Sequence, residues 1–375
     1  MTQHVAIAII GAGPAGIGFG AALKSYGFRD FVILEKGQVA DSFRHWNPAT
    51  RFISPSFTTN GFGFPDLNAV TPETSPAYTL GAEHLSGYDY AYYLQKVARL
   101  KALPVLSKTA VKSIRVLADQ HYELQFANHA ALIADFVLIA IGDYAYPFIP
   151  DVPGAAYGVH YAAIKNYQRF KAGQEQVIIG GNESAFDLAV NLAKKNIVSD
   201  LFATNSAFRS NDPDPSRRLS TYTYERYMAH ADLINLAVGK TVLAIKHDRD
   251  GDDYVILFRD GTITKTHNQP IFATGFASAQ SPLVKKLFVI QGNRPVLDLH
   301  DESTVAANVF MLGPQVQHGS VNLCYIYKYR QRFAPLAETI LHRIGIEINP
   351  QVTAMYRRAG MYLQDFGQCH INCDG

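Results

Sequence analysis

The chain has 375 residues, 48% of them hydrophobic and 18% charged, with a formal net charge of +2. That length exceeds one small core and suits two domains, and the composition excludes wholesale disorder. The balanced charge, with only short basic pairs such as Arg217-Arg218 and Lys194-Lys195, gives no electrostatic footprint for nucleic acid. Its three cysteines, Cys324, Cys369 and Cys373, make no disulfide framework, so a reducing cytoplasm is the expected compartment.

The apolar run from Val5 to Leu23 lacks a basic leader and is interrupted by Gly11, Gly13, Pro14, Gly16, Gly18 and Gly20, so it reads as core. No other stretch reaches the roughly 18 apolar residues of a spanning helix, and no membrane partner is expected. Val5–Ile10 reads as a parallel strand buried on both faces. Gly11-Ala-Gly13-Pro14-Ala15-Gly16 follows at once, then a small-residue helix from Ile17 to about Tyr26, which Gly27 is placed to end. A second strand, Phe31–Leu34, carries Glu35 at its end. Gly11 permits the turn, Gly13 lets backbone approach a pyrophosphate, and Gly16 lets the helix pack on the sheet. The helix N-terminus offers N–H groups to phosphates. Glu35 can accept from a ribose hydroxyl and would repel a 2′-phosphate, which excludes NADP from this loop.

Ser86 caps an expected aromatic helix within Glu83–Leu94, and Pro104–Ser107 is a short strand candidate. The glycine pattern recurs after the strand Gln176–Ile179 as Gly180-Gly-Asn182-Glu183-Ser184-Ala185, with Ala185, Leu188, Ala189 and Leu192 on one helical face. Asn182 replaces the middle glycine, in a position where asparagine tolerates the left-handed region. The next strand, Val198–Thr204, ends without an acid. Thr204, Asn205, Arg209, Arg217 and Arg218 stand there instead, which favours NADPH over NADH, although such arginines also serve as plain surface charge. The stretch Asp212–Tyr224 reads as a turn-rich insertion, either a substrate mouth or a surface loop.

Three later segments carry a family resemblance. Phe136–Pro147 with Ile149–Gly154, and Ile271–Phe276, resemble the two crossover segments of the flavin-containing monooxygenase-like flavoproteins; Asn308–Pro314 resembles their glycine-ended return strand. The resemblance runs from Val5 to about Arg343. It implies an α/β chain of two Rossmann-like dinucleotide-binding domains, the NAD(P)-binding one inserted into the FAD-binding one. Residues 1–146 and 278–345 would bind FAD, 147–277 would bind NADPH or NADH, and 346–375 would be a tail. FAD contacts are implied for Gly11, Gly13, Pro14, Ala15, Gly16, Glu35, Lys36, Phe43, Trp46 and Ser54, and for Val111, Gly142, Gly313 and Leu323. NAD(P)H contacts are implied for Gly180, Asn182, Glu183, Ser184, Ala185, Thr204 and Arg209. The segment Val321–Arg343 is expected as a helix whose end faces the flavin, with His318 and Cys324 beside its start.

The resemblance has departures. Around His160 only the histidine of the monooxygenase signature F-x-G-x-x-x-H-x-x-x-Y remains, with Tyr167 nearby, and Phe43-Arg-His-Trp46 stands where the group often has G-x-W. The implied reaction passes hydride from NAD(P)H to flavin and electrons to O2 with a small organic substrate. The cofactors supply that chemistry, so no catalytic side chain and no metal is assigned. A disulfide or small-thiol reductase is the alternative enzyme, and a redox sensor or binding module the non-enzymic one. Neither the stretch after Glu35 nor the second domain contains a cysteine, and Ala15 stands where one reductase group has its cysteine. Cys369-His-Ile-Asn-Cys373 is either a terminal redox pair, half of a shared metal site, or plain tail. The sequence leaves the oligomeric state open.

Overall fold

The computed structural model describes residues 3–57, 65–127, 130–212, 214–248 and 252–366. Cys369 and Cys373 lie outside them. Two compact units result. One contains the described residues of 1–45, 54–146 and 277–366; the other contains Trp46–Ile53 and Pro147–Phe276.

The first unit is built on β1 (Gln3–Ile10), β2 (Phe31–Leu34), β3 (Val105–Leu106), β4 (Val111–Val116), β5 (Tyr122–Phe126) and β6 (Ala131–Ile139), in the spatial order β3-β2-β1-β6-β5-β4. Ile7 and Ile9 of β1 are fully buried, as a central parallel strand covered on both faces requires. β6 has β1 as one neighbour along its length and pairs with two further strands. Its first half pairs antiparallel with β5, and its last three residues pair in parallel with the strand Val309–Met311. Helix α1 (Pro14–Ser25) begins three residues before the predicted Ile17, because Pro14 is preset for the first helical position. Its small residues have a packing reason: a Cβ on Gly18 would lie 2.1 Å from the Phe333 ring, and one on Gly20 would lie 2.8 Å from Ile33 Cδ1. The aromatic helix is Gly87–Leu100, held at its start by a reciprocal Ser86–Asp89 capping box.

The predicted single helix Val321–Arg343 is instead broken. Val321–Asn322 pairs with Gln317–His318 in a hairpin, Ile326–Tyr329 makes one short turn, and Phe333–Ile344 is the long helix. Within residues 346–366 the chain forms one more helix. Asn349 caps the helix Pro350–Arg358, and Tyr356 and Met361 are fully buried.

The second unit has β7 (Val159–His160), β8 (Glu175–Ile179), β9 (Val198–Ala203), β10 (Ile234–Val238) and β14 (Ile271–Phe272) as a parallel sheet ordered β10-β9-β8-β14-β7. The strands β11 (Val242–Asp248), β12 (Asp253–Phe258) and β13 (Ile263–Thr266) form an antiparallel meander. Strand alternation sorts the core. Ile178 packs with Leu188, Leu192 and Ala185 of the helix Glu183–Ala193, while Val177 and Ile179 pack with Val242, Ile256 and Phe258 of the meander. β9 ends one residue before the predicted Thr204, which is exposed. Trp46–Ile53 belongs to this unit rather than the first because Asn47 Nδ2 donates to Ile164 O (3.0 Å) and Thr50 Oγ1 bonds Tyr161 OH (2.9 Å). Among the described residues no helix is long and apolar enough to cross a membrane.

Candidate functional site

In the first unit, β1, β6 and Val309–Met311 run in parallel, so their C-terminal ends bring Gly11, Gly142 and Gly313 to one edge of the sheet. This is the edge at which open α/β sheets bind ligands. Gly11 has φ +111°, and a Cβ there would lie 2.4 Å from Ala140 O. A Cβ on Gly16 would lie 1.9 Å from Gly11 O. Both glycines are therefore fixed by the protein's own packing. Gly13 differs: as the N-cap of α1 it would meet nothing within 4 Å. The space in front of it adjoins helix N–H groups that have no intrahelical acceptor. Gly313 closes the other side, a Cβ there lying 3.3 Å from Ala15 Cβ.

Glu35 is buried and shapes the loop from below: Oε2 accepts from Ala12 N–H and Oε1 from Gly37 N–H, both at 2.8 Å. Each oxygen keeps a lone pair for a ribose hydroxyl. Val111 opens β4 two residues past Thr109, whose N–H donates to Glu35 O. Lys36 is exposed. Phe43 packs edge-on against Tyr90 (5.0 Å), and Ser54 Oγ donates to Asn68 Oδ1 (2.5 Å). Leu323 is buried and its N–H donates to Val316 O. Trp46 lies in the second unit, its ring centroid 5.2 Å from that of Phe52. The glycine cradle and the Glu35 carboxylate fit the diphosphate and ribose of FAD.

One feature of this edge escaped the sequence. Asp143, directly after Gly142, accepts from Ser278 Oγ and Gln315 Nε2, both at 2.5 Å. Burial raises its pKa above the usual carboxylate value, with the two donors opposing. Gln315 Oε1 is buried without a hydrogen-bond partner. A residue pair 172 positions apart has no spacing signature, and only the glycines flanking it marked the neighbourhood.

In the second unit the loop after β8 repeats the first. Gly180 has φ +151°, and its Cβ would lie 2.3 Å from Ala273 O; Gly181 would meet Ala203 Cβ at 2.6 Å. Asn182 is the N-cap, but in extended conformation (φ −137°) rather than the expected left-handed one, with Oδ1 accepting from Glu183 N–H. Its side chain stands where Gly13 leaves space in the first loop. The Glu183 carboxylate is engaged within the unit itself. It accepts from Ser220 N–H, Ser220 Oγ and Thr223 Oγ1, tying the helix Glu183–Ala193 to the start of Thr221–Met228. Burial raises its pKa against those three donors. Ser184 is half-buried in the first turn and Ala185 fully buried. Thr204 and Arg209 are exposed beyond β9, Arg209 lying over the Phe208 ring, while Arg217 pairs with Asp212. The donors and the exposed cation fit an exchangeable nucleotide held less closely than at Gly13.

His160 is structural in this arrangement. Nε2–H donates to Gly275 O (2.9 Å) and Nδ1 accepts from Ala162 N–H (3.1 Å), so the neutral ring is satisfied at both nitrogens; burial lowers its pKa. His318 Nε2 meets the fully buried Asp301 Oδ1 at 2.6 Å, and its ring stacks on Phe366. Cys324 is half-buried and outside any disulfide.

Two α/β units, each with parallel strands that end in a glycine turn opening a helix, define a chain with two dinucleotide-binding folds. The chain belongs to the pyridine nucleotide-disulphide oxidoreductase family, whose profile matches residues 8–313. The Baeyer-Villiger monooxygenase of Streptomyces coelicolor is 30% identical over 201 residues, covering 52% of this chain and 36% of that protein. The uncharacterized oxidoreductase CzcO of Bacillus subtilis is 27% identical over 203 residues, covering 50% of this chain and 52% of its own length. The chain thus spans about half or less of these curated relatives. The bacillithiol disulfide reductase Bdr (YpdA) of Staphylococcus aureus superposes with a TM-score of 0.72 at 19% identity, covering 91% of this chain and 99% of that one. A flavin-containing monooxygenase from Stenotrophomonas maltophilia gives 0.71 at 17%, covering 92% and 100%. These likenesses show a shared fold.

Proposed function

We propose that the chain is an FAD-dependent oxidoreductase of flavin-monooxygenase type, using NADPH in preference to NADH. Bound FAD would supply the redox chemistry, taking hydride from the nicotinamide and passing electrons to O2 with a small organic substrate. The observation that carries the reading is the cradle of Gly11, Gly13 and Gly16 over a Glu35 already bonded to Ala12 and Gly37. The chain's own part is to bind and orient. The start of α1 offers N–H groups to the diphosphate, and Glu35 accepts from ribose. Asp143, raised by burial, takes up a proton more readily than an exposed carboxylate. Arg209, exposed past β9 where no acid stands, supports a 2′-phosphate. Monooxygenation is favoured over disulfide reduction because Cys324 is the single cysteine among the described residues, so neither unit holds a cysteine pair there.

The test is anaerobic mixing of the flavin-loaded protein with NADPH and, separately, NADH, following the oxidised flavin absorbance. Rapid bleaching, faster with NADPH, is expected; an unchanged spectrum would make the chain a binding module. Admitting air with candidate substrates should then couple oxygen uptake to substrate oxygenation. Turnover of small disulfides without oxygen uptake would establish the reductase instead.

A further inference from the structure

His4 stands near the start of β1, His121 ends the turn between β4 and β5, and Asp135 lies in β6. The fold brings one nitrogen or oxygen of each within 4.8 Å of the others. His4 Nε2 lies 2.7 Å from Asp135 Oδ1, and His121 Nε2 lies 3.5 Å from the same oxygen. The two imidazoles meet edge to face at 5.8 Å between centroids. A second carboxylate fixes His121 from behind: its N–H donates to Asp119 Oδ1 (3.2 Å), and its Nδ1 lies 3.1 Å from Asp119 Oδ2. The turn itself is closed by Leu117 N–H donating to His121 O (2.8 Å).

We propose that His4, His121 and Asp135 bind a divalent late first-row cation, Zn2+ foremost, with Asp119 as the positioning residue for His121. Two imidazole nitrogens and one carboxylate oxygen are the donors such ions prefer, and a water completes four-coordination. A carboxylate on the far ring nitrogen of a ligating histidine holds the proton there and leaves Nε2 a lone pair for the metal. Side chains exposed by 49%, 41% and 31% let the ion enter directly from solvent. Zinc ligand bonds of about 2.0–2.2 Å need only side-chain rotation from the present spacing. Along β1, His4 is seven residues from Gly11, about 23 Å at the strand rise. The ion therefore takes no part in redox chemistry; it staples the β4–β5 turn to β1 and β6. Its ligands are 131 positions apart at the extremes, so no spacing motif announces them.

The experiment titrates chelator-treated, tag-free, flavin-loaded protein with Zn2+ by calorimetry and with Co2+ by visible absorption. Wild type should bind one equivalent with the spectrum of four-coordinate Co2+ and melt a few °C higher with Zn2+ in excess. The His4→Ala/His121→Ala protein should lose that equivalent while keeping its flavin content and unfolding curve. Asp119→Asn should keep the stoichiometry at roughly tenfold weaker affinity. Absence of saturable binding to wild type would leave a plain surface ion pair and overturn the proposal. Equal binding by wild type and the double variant would place the metal elsewhere and overturn it equally.

Discussion

At the N-cap of α1 the role of a glycine depends on what its missing Cβ would touch. Gly13 at φ −79° would meet nothing, whereas Gly11 at φ +111° would be driven into Ala140 O. Gly13→Ala should therefore leave the stability of the flavin-free protein within about 0.5 kcal/mol while lowering the FAD content of the purified protein. Gly11→Ala should cost roughly 1–3 kcal/mol in backbone strain alone, read from urea unfolding of the flavin-free protein. A Gly13→Ala protein that kept full flavin would remove the phosphate site from this loop. The second loop reverses the substitution. Asn182→Gly should change stability by only about a few tenths of a kcal/mol, since glycine is a tolerable cap. It should lower the KM for NADPH without altering flavin content; a raised KM would mean that the Asn182 amide binds coenzyme.

The elements show where the sequence was legible. Apolar strands joined to glycine turns were readable because strand burial, turn conformation and helix start are all local demands, as β1–α1 and β8 with Glu183–Ala193 illustrate. The segment Val321–Arg343 was not. Its apolar content passes for a helix, but Leu323 N–H donates to Val316 O and closes a hairpin first. The role of Glu183 was equally hidden, because its partners Ser220 and Thr223 are set by tertiary packing. Helix Pro350–Arg358 was lost for the same reason. It is held by Glu338 of Phe333–Ile344, whose carboxylate accepts from Tyr26 OH (2.5 Å), Thr353 Oγ1 (2.6 Å) and Tyr362 OH (2.6 Å). Three hydroxyls on one carboxylate cannot all donate to an amide. Glu338→Gln should destabilise the protein by about 1.5–3 kcal/mol in urea unfolding, and an unchanged midpoint would show the clasp to be dispensable.

Over the whole chain, the repeat of the glycine grammar made two dinucleotide folds legible, whereas the polar interior depends on distant pairings and was not. That interior includes several tyrosines, Tyr90, Tyr93, Tyr161 and Tyr329 among them. Burial pushes Tyr93 and Tyr144 up to about 12, and Tyr90 and Tyr329 well above their ordinary value. In the second unit burial, followed by the neighbouring Asp187 charge, does the same to Tyr161. A raised folded pKa means that the fold favours the neutral phenol, so the unfolded chain loses these protons first as pH rises. The stability they contribute is complete below the unfolded value near 10 and is lost as pH climbs toward the folded values. Each phenol ionised only in the unfolded chain removes about 1.4 kcal/mol per pH unit. The melting temperature should therefore be level from about pH 7 to 9 with respect to these groups and fall steeply between about 10 and 12. Tyr161→Phe should lessen the slope of that fall, because a side chain without a phenol has no proton to lose. A melting temperature indifferent to pH up to 11 would mean that these hydroxyls reach water more easily than their burial implies.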